Sequence, residues 1–486
     1  MTASSLALAP APHANALGFR PNATVLKHMV AALLAAGVVG AALAAPAGGL
    51  AAEVRAALAI TGLALIGWTL TKVSDAVVAI LCAVAAVALG VLPAEALHDS
   101  LGHPMIWLML SAFVIAAALT SSGLAERLAL AATRPLRSVR GLFYGVGAVI
   151  VLTAFVIPST SGRAALLLPV YLALVDRLPD PRLTRPFALL FPTTILLSAG
   201  GSLIGAGAHI IAADVIARSL DMTIGIAAWS LLTLPFALLT CLLAIELILL
   251  LFVPGDLRGR RLSVPDETRQ PVTLREIALS AVVLAVVGLW ITAPLHGLSA
   301  PVVALIGAAA ALAKPLSGLK TKEAFRKVDM ELLVFLAATL TLAEAMRASG
   351  ADAWLADRLF EAVPAALAGK AWIAVSLAAA VATAFHLVVA SRSARAAVLI
   401  PALGAPLAGL GHDPALIALV IVLGTGFCQT LPASAKPVAL FAAIEGRGVV
   451  PADLLRLAAL LGPLMIALLV LFGVLVWPPL LEMLRR

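Results

Sequence analysis

The sequence predicts an all-α polytopic membrane protein built from two related halves, and three observations carry that prediction. The 486 residues are 62% hydrophobic and 12% charged, whereas ordinary globular domains carry about a quarter charged residues. Apolar runs of spanning length, about 20 residues, recur along the chain. A short polar motif set inside one apolar region returns without gaps in a second region, at an offset of 232 residues. A soluble fold would leave much of this apolar surface in water, while a lipid-embedded fold faces it to hydrocarbon.

Taken in order, residues 1–26 lack a basic segment followed by a long apolar core. They are expected to be a short disordered cytoplasmic tail with no cleaved signal peptide. The glycosylation sequon at Asn22 is a pattern only. Spanning runs follow near 27–47, 55–73, 75–93, 104–122, 186–213, 226–253, 275–293, 298–313, 330–346, 414–444 and 454–478. Two further regions, 142–177 and 371–410, are apolar on both sides of a small, polar break. Each reads as a hairpin that enters the membrane and returns on the same side. The expected organisation is a tail (1–26), a first transmembrane helix and link (27–54), a first repeat (55–253), a polar link (254–274) and a second repeat (275–486). No segment reads as a separate soluble domain.

The basic residues orient this arrangement by the positive-inside rule. With a cytoplasmic N-terminus, the inside links hold Lys72, Arg134, Arg137, Arg140, Arg177, Arg182, Arg185, Arg258, Arg260, Arg261, Arg269 and Arg275. They also hold Lys314, Lys320, Lys322, Arg326, Lys327 and Arg447. The outside links "PAEALHDSLGHP", "APLHGLSA" and "GLGHDP" hold no lysine or arginine. Arg347, Arg358, Lys370, Arg485 and Arg486 run against this orientation. The net charge of +8 therefore belongs to orientation and gives no nucleic-acid signal. Cys82, Cys241 and Cys428 all fall inside apolar runs, with neither disulfide nor metal spacing. Trp68, Trp107, Trp290, Trp354 and Trp477 lie near span ends and read as interface anchors.

The repeated motif pairs "STSGRAALLLP" (159–169) with "SRSARAAVLIP" (391–401). Ser159/Ser391, Ser161/Ser393, Arg163/Arg395 and Pro169/Pro401 are among the identical pairs. A second echo follows each copy: "LIGAGAHI" (203–210) against "TLPASAKP" (430–437), which sets His209 opposite Lys436. A third precedes them, "TSSGLAERL" (120–128) against "RASGADAWLADRL" (347–359). An odd number of crossings separates the copies, so they enter from opposite sides. Inverted repeats with broken helices meet near the bilayer midplane, where free backbone N–H groups make a site for anions.

At these residues the chain resembles the divalent anion/sodium symporter family of the ion transporter superfamily, from about 50 to 478. The family carries Ser-Asn-Thr at each of two hairpin tips; here Ser159-Thr160-Ser161 and Ser391-Arg392-Ser393 stand there. The later breaks of the family resemble Gly205-Ala206-Gly207-Ala208-His209 and Pro432-Ala433-Ser434-Ala435-Lys436. The resemblance implies eleven transmembrane helices, two re-entrant hairpins, a homodimer and an elevator-type movement of a transport part against a scaffold. It implies transport of di- or tricarboxylates or sulfate, usually with sodium. Both family asparagines are replaced, by Thr160 and Arg392, and an arginine is electrostatically wrong for a sodium position.

The expected substrate-binding set is Ser159, Thr160, Ser161, Arg163, Ser391, Arg392, Ser393 and Arg395. The expected helix-break and coupling-ion region comprises Gly205, Ala206, Gly207, His209, Pro432, Ser434 and Lys436. A charge at the bilayer centre is costly unless paired or wet. Arg163 and Arg395 either contact the anion or cap hairpin carbonyls, and Arg392 either contacts the anion or pairs with an acid. His209 is a hydrogen-bonded break residue or a titrating group, and Lys436 is a fixed charge in place of sodium. Asp214, Glu246 and Glu344 are the candidate partners of these bases, and Glu246 and Glu344 are alternatively proton carriers. No cofactor is expected, and sodium is doubtful.

The leading function is secondary transport of a small multiply charged anion, of the carboxylate, sulfate or sulfonate class, in a bacterial inner membrane. The fixed Arg and Lys charges then replace sodium, with proton coupling or exchange as the drive. The alternative is a transport-inactive anion sensor or membrane scaffold. An intramembrane enzyme is disfavoured because neither H-E-x-x-H nor G-x-S-x-G is present.

Overall fold

A computed structural model describes residues 23–44, 50–71, 73–123, 127, 138–178, 180–260, 273–313, 316, 318–354, 358 and 370–485. Residues 1–22 of the expected tail 1–26, Asn22 among them, and the basic residues Lys72, Arg134, Arg137, Arg261, Arg269, Lys314 and Arg486 lie outside the described residues, as does part of the third echo, while residues 23–26 open the helix Ala23–Ala44. Every regular element among the described residues is helical. Among the described residues, six helical stretches are long and apolar enough to cross a membrane: Ala94–Ser121, Pro181–Gly201, Ile226–Phe252, Leu274–Ile291, Met330–Ser349 and Pro451–Arg485. Further apolar helices of 10–17 residues, such as Asp75–Ala88 and Pro414–Gly424, complete the set. Several are short because a break interrupts them.

Both halves contain the same sequence of parts. The first has α1 (Val139–Thr153), a non-helical tip, α2 (Thr160–Asp176), then α3 (Thr184–Ser198), a break, and α4 (Gly207–Leu220). The second has α5 (Ala371–Ala384), a tip, α6 (Arg392–Leu399), then α7 (Pro414–Gly424), a break, and α8 (Lys436–Ala442). Helices α2 and α6 start at positions separated by the 232-residue offset of the motif. The breaks obey a different offset. Ala206 and Ala435 cap α4 and α8 with matching extended backbone, φ −159°, ψ 149° and φ −159°, ψ 146°. Single 3₁₀ turns, Leu203–Gly205 and Pro432–Ser434, stand at equal distance before them. Lys436 therefore corresponds to Gly207, and the pairing of His209 with Lys436 is corrected by two residues. Small residues on both sides of the break let the strings slide when aligned by pattern, whereas backbone angles do not slide.

Local signals explain many boundaries. Ser138, Asp329 and Asp413 each accept a backbone N–H within the first turn of the helix that follows. Thr273 and Glu276 form a capping box at the start of Leu274–Ile291. Pro169 sits inside continuous α2, whereas its counterpart Pro401 falls in a π-helical turn, Ile400–Gly404. Such a turn absorbs the hydrogen bond a proline cannot donate. Aromatic packing joins the halves: Tyr171 lies 5.3 Å from Phe191 and 5.4 Å from Phe441, centroid to centroid.

The tryptophans differ from the sequence expectation. Trp477 is fully buried and donates to the Leu232 carbonyl at 2.8 Å, and Trp290 is also buried. Trp68 stacks edge-on against Phe335 at 5.8 Å. These three are packing residues, because their rings fill interhelical space while the indole N–H finds a carbonyl. Trp107 is exposed.

Glycine governs the first break. A Cβ on Gly205 would lie 2.3 Å from the Ala199 carbonyl oxygen, a backbone atom that cannot rotate away. Gly205→Ala is therefore expected to destabilise the protein by about 1–3 kcal/mol. Its thermal unfolding in detergent should fall below that of Gly255→Ala, where a Cβ meets nothing within 4 Å.

Candidate functional site

Each broken element ends a helix inside the molecule, and each end leaves up to four carbonyls without an intrahelical partner. Arginine supplies the donors. Arg163 in α2 is fully buried. It donates to the Ile150 carbonyl in the last turn of α1 at 2.6 Å and to the Ile195 carbonyl in the last turn of α3 at 2.9 Å. It also bonds the hydroxyls of Thr153 at 3.0 Å and Ser198 at 2.7 Å. Arg395, its repeat partner in α6, is equally buried. It donates to the carbonyls of Val389 at 2.8 Å, Ala390 at 3.2 Å and Thr425 at 2.8 Å, and to the Cys428 sulfur at 2.7 Å.

Arg392 is placed differently. Its Nη1 reaches the Leu196 carbonyl of α3 at 3.4 Å and its Nη2 the Val422 carbonyl of α7 at 3.5 Å. One guanidinium thus spans the C-terminal ends of half-helices from both repeats. These contacts are long, and Nε has no partner. At such lengths a hydrogen bond is weak, so most of the five donors remain uncommitted. Gly426 makes room for it, since a Cβ there would sit 2.9 Å from Nη2.

Among the described residues, no carboxylate pairs with Arg163, Arg392 or Arg395. The acids expected as partners are engaged elsewhere. Asp214 pairs with Arg218 at 2.5 Å, Glu344 with Arg347, and Glu246 with both Arg140 and Tyr144. The expectation of buried ion pairs is corrected: backbone dipoles do the neutralising, which no pattern of acidic residues reveals.

A cavity of about 410 Å³ opens in front of these ends. The structure brings Ser159, Thr160, Ser161, Ala206, Gly207, Ser391, Arg392, Ser393 and Lys436 together in its walls. Arg163 and Arg395 lie behind the wall, and Gly205, His209, Pro432 and Ser434 are also outside it. His209 is fully buried, with Nδ1 2.8 Å from the Ser202 carbonyl and its ring against Trp229. The Ser434 hydroxyl accepts the Leu431 N–H at 3.1 Å, closing the 3₁₀ turn of the second break. Gly207 allows close approach: a Cβ there would lie 2.9 Å from the Ser393 hydroxyl.

The two tips differ in backbone. Ser159 adopts φ +76°, ψ 126°, while Ser391 has φ −72° and caps α6 by accepting the Ala394 N–H at 3.3 Å. A non-glycine residue in that conformation holds strain of about 1–3 kcal/mol, and such strain gathers at functional sites. The opposite wall was not anticipated. It comes from Trp68, Thr71 and Asp75 and from Asp329, Glu331 and Phe335, all at the ends of neighbouring spans. Those acids open apolar runs, where they read as helix caps.

Buried arginines meeting carbonyl ends, beside a polar cavity walled by two hairpin tips and two helix breaks, define a membrane transport protein with discontinuous helices. Residues 24–483 match the model of the sodium:sulfate symporter transmembrane region, and the chain belongs to that family of transporters. The citrate/succinate antiporter of Escherichia coli (strain K12) is 25% identical over 392 residues, covering 77% of this chain and 78% of that protein. The citrate/succinate antiporter of Escherichia coli O157:H7 matches with the same figures. In three dimensions the chain is similar to the crystal structure of the Alcanivorax borkumensis YdaH transporter, with TM-score 0.55 and 16% identity. That match covers 77% of this chain and 86% of the other, and it bears on the fold alone.

If Arg163 braces two helix ends, Arg163→Leu strips donors from the Ile150 and Ile195 carbonyls. Each buried group left unpaired costs about 1–3 kcal/mol. A lowered unfolding temperature in detergent, with poor recovery of folded protein, is the expected outcome.

Proposed function

We propose that the protein is a secondary active transporter of a small, multiply charged anion, of the di- or tricarboxylate, sulfate or sulfonate class. The observation that carries this reading is Arg392, which lines the cavity with most of its N–H donors uncommitted. A planar guanidinium with free donors matches a carboxylate or sulfate oxygen pair. Serine and threonine hydroxyls from both tips, the N-terminal ends of α2 and α6, and Lys436 surround the same space. Helix N-termini favour negative charge through their unpaired N–H groups. Arg163 and Arg395 act as positioning residues that hold the tips against the half-helices.

Sodium does not fit the second tip. A cation there needs oxygen ligands, and the Arg392 guanidinium already lies against the Leu196 and Val422 carbonyls. With Lys436 it supplies fixed positive charge in place of a bound ion. The cavity lies between two sets of elements, the tips and breaks on one side and the ends of helices 52–70, 75–88 and 330–349 on the other. Movement of the first set past the second, elevator fashion, would expose the anion alternately. Eleven crossings, re-entrant hairpins, an inverted relation of the repeats, a homodimer, a cytoplasmic N-terminus and a bacterial inner-membrane location complete the proposal. Two of the five exceptions to the positive-inside rule are paired, Arg347 with Glu344 and Arg485 with Asp413.

Purified protein in proteoliposomes tests the reading directly. Uptake of labelled sulfate, succinate or citrate should proceed at the same rate with and without a sodium gradient. A steep sodium requirement would remove the sodium-independent version and leave anion transport standing. Arg392→Ala should abolish stabilisation by the anion in a thermal-shift titration while the unfolding transition stays cooperative. Unchanged anion affinity in that variant would make Arg392 a structural residue.

A further inference from the structure

We propose that Asp75 is the proton-carrying group of this transporter, taking up a proton as the anion enters the cavity and releasing it as the anion leaves. The inference rests on the transporter reading above and adds its coupling ion and the residue responsible. Asp75 opens the helix Asp75–Ala88 and lines the cavity opposite the second hairpin tip. Its carboxylate faces the Ser391 hydroxyl and lies within electrostatic reach of Lys436 and Glu331.

Two arguments point to the proton, one from donors and one from charge. A serine hydroxyl has a single O–H to give. Ser391 accepts the Ala394 N–H, so its own hydrogen is what it offers across the cavity, where Asp75 faces it. An anion, which only accepts, competes with an ionised Asp75 for that hydrogen. A protonated Asp75 releases it and becomes a donor itself. The charges agree with the donors. Among the described residues, two cations, Arg392 and Lys436, face three carboxylates, Asp75, Asp329 and Glu331, in the cavity walls. With all ionised, the walls carry one net negative charge before any anion arrives. One proton on Asp75 brings them to neutrality.

The other two acids are engaged on their own side of the cavity, one by its own helix end and one by the residue that precedes Asp75. Asp329 accepts the Leu332 N–H at 3.0 Å, and Glu331 accepts the Ser74 hydroxyl at 2.5 Å. Asp75 is the acid that faces a hairpin tip across the cavity. The charged groups that face it are Glu331 with Asp329 from helix Met330–Ser349, Arg392 from α6 and Lys436 from α8. The adjoining end of helix Ala52–Leu70 presents Trp68 and Thr71, and Lys72 lies outside the described residues. The proton balance is simple. A carboxylate becomes a carboxylic acid on the loading side and returns to carboxylate on the unloading side, with no bond formed to the anion.

Binding of sulfate to purified protein across pH 5–8 tests the idea, because sulfate stays a dianion throughout. Succinate serves as a second probe above pH 6.5. The sign follows from linkage: an anion that binds together with a proton binds more tightly at low pH. Above the pKa of Asp75, the apparent Kd of the wild type should rise by up to about tenfold per pH unit. Asp75→Asn, which fixes the neutral form, should show a flat profile, and Asp75→Glu should keep the slope. In proteoliposomes an inside-alkaline gradient should accelerate uptake by the wild type and not by Asp75→Asn. A wild-type profile without slope would overturn the proposal, as would an unchanged slope in Asp75→Asn. Failure of Asp75→Asn to bind at any pH, with normal binding and slope lost in Asp75→Glu, would make Asp75 a structural residue. Failure of both anions to bind the wild type at any pH would instead bring down the transporter reading itself.

Discussion

Helices that stop inside this protein leave backbone carbonyls facing one another, and the arrangement of those ends determines the rest of the structure. In water such groups would be solvated; in an apolar interior each must find a donor. Helices α1, α3 and α7 all end where an arginine reaches them. Arginine suits the task because its guanidinium is permanently charged and carries five donors in a rigid fork. The partial charge at a helix C-terminus is roughly −0.5. Two such ends therefore balance one guanidinium without any carboxylate, and none is found beside Arg163, Arg392 or Arg395 among the described residues.

The same constraint builds the cavity. Once Arg163 and Arg395 tie each tip to a half-helix, the N-terminal ends of α2, α6, α4 and α8 are brought to one space. Small residues complete the approach. Gly207 admits the Ser393 hydroxyl and Gly426 admits the Arg392 guanidinium, at distances a Cβ would close. Ser159 keeps its left-handed backbone in the same region. Rigid bracing behind the wall and spare donors within it divide the arginines into two kinds, and only their surroundings separate them.

Much of this was legible in the sequence. The repeat at 159–169 and 391–401 located both tips, the class of helix break and the arginines, because charge within a long apolar run is conspicuous. What each arginine touches was not legible, since carbonyls belong to every residue and carry no signature. Sequence reasoning looked to Asp214, Glu246 and Glu344, but each pairs with a base in its own surroundings. The second echo misplaced His209 by two residues, because alanines and glycines match in any register. Asp75, Asp329 and Glu331 escaped notice for the opposite reason. A Ser-Asp or an Asp-x-Glu ahead of an apolar run already has an explanation as a helix cap. The signal that could have separated them is a third carboxylate gathered from two different span ends, which only the fold brings together.

Symmetry explains why Arg392 has no counterpart at Thr160. Arg163 and Arg395 recur because each repeat leaves its own carbonyls to be satisfied, those ending α1 and α3 in the first and those of the tip and the end of α7 in the second. The ends of α3 and α7 bordering the cavity form a single shared set, which one guanidinium already spans. A second arginine at Thr160 would line the same cavity with no further helix end to balance it, and two like charges would repel in a poorly solvated space. A neutral hydroxyl there keeps the donor and omits the charge. The duplicated fold therefore carries paired bracing and one unpaired charge in the cavity wall, and the broken symmetry follows from the number of helix ends that meet.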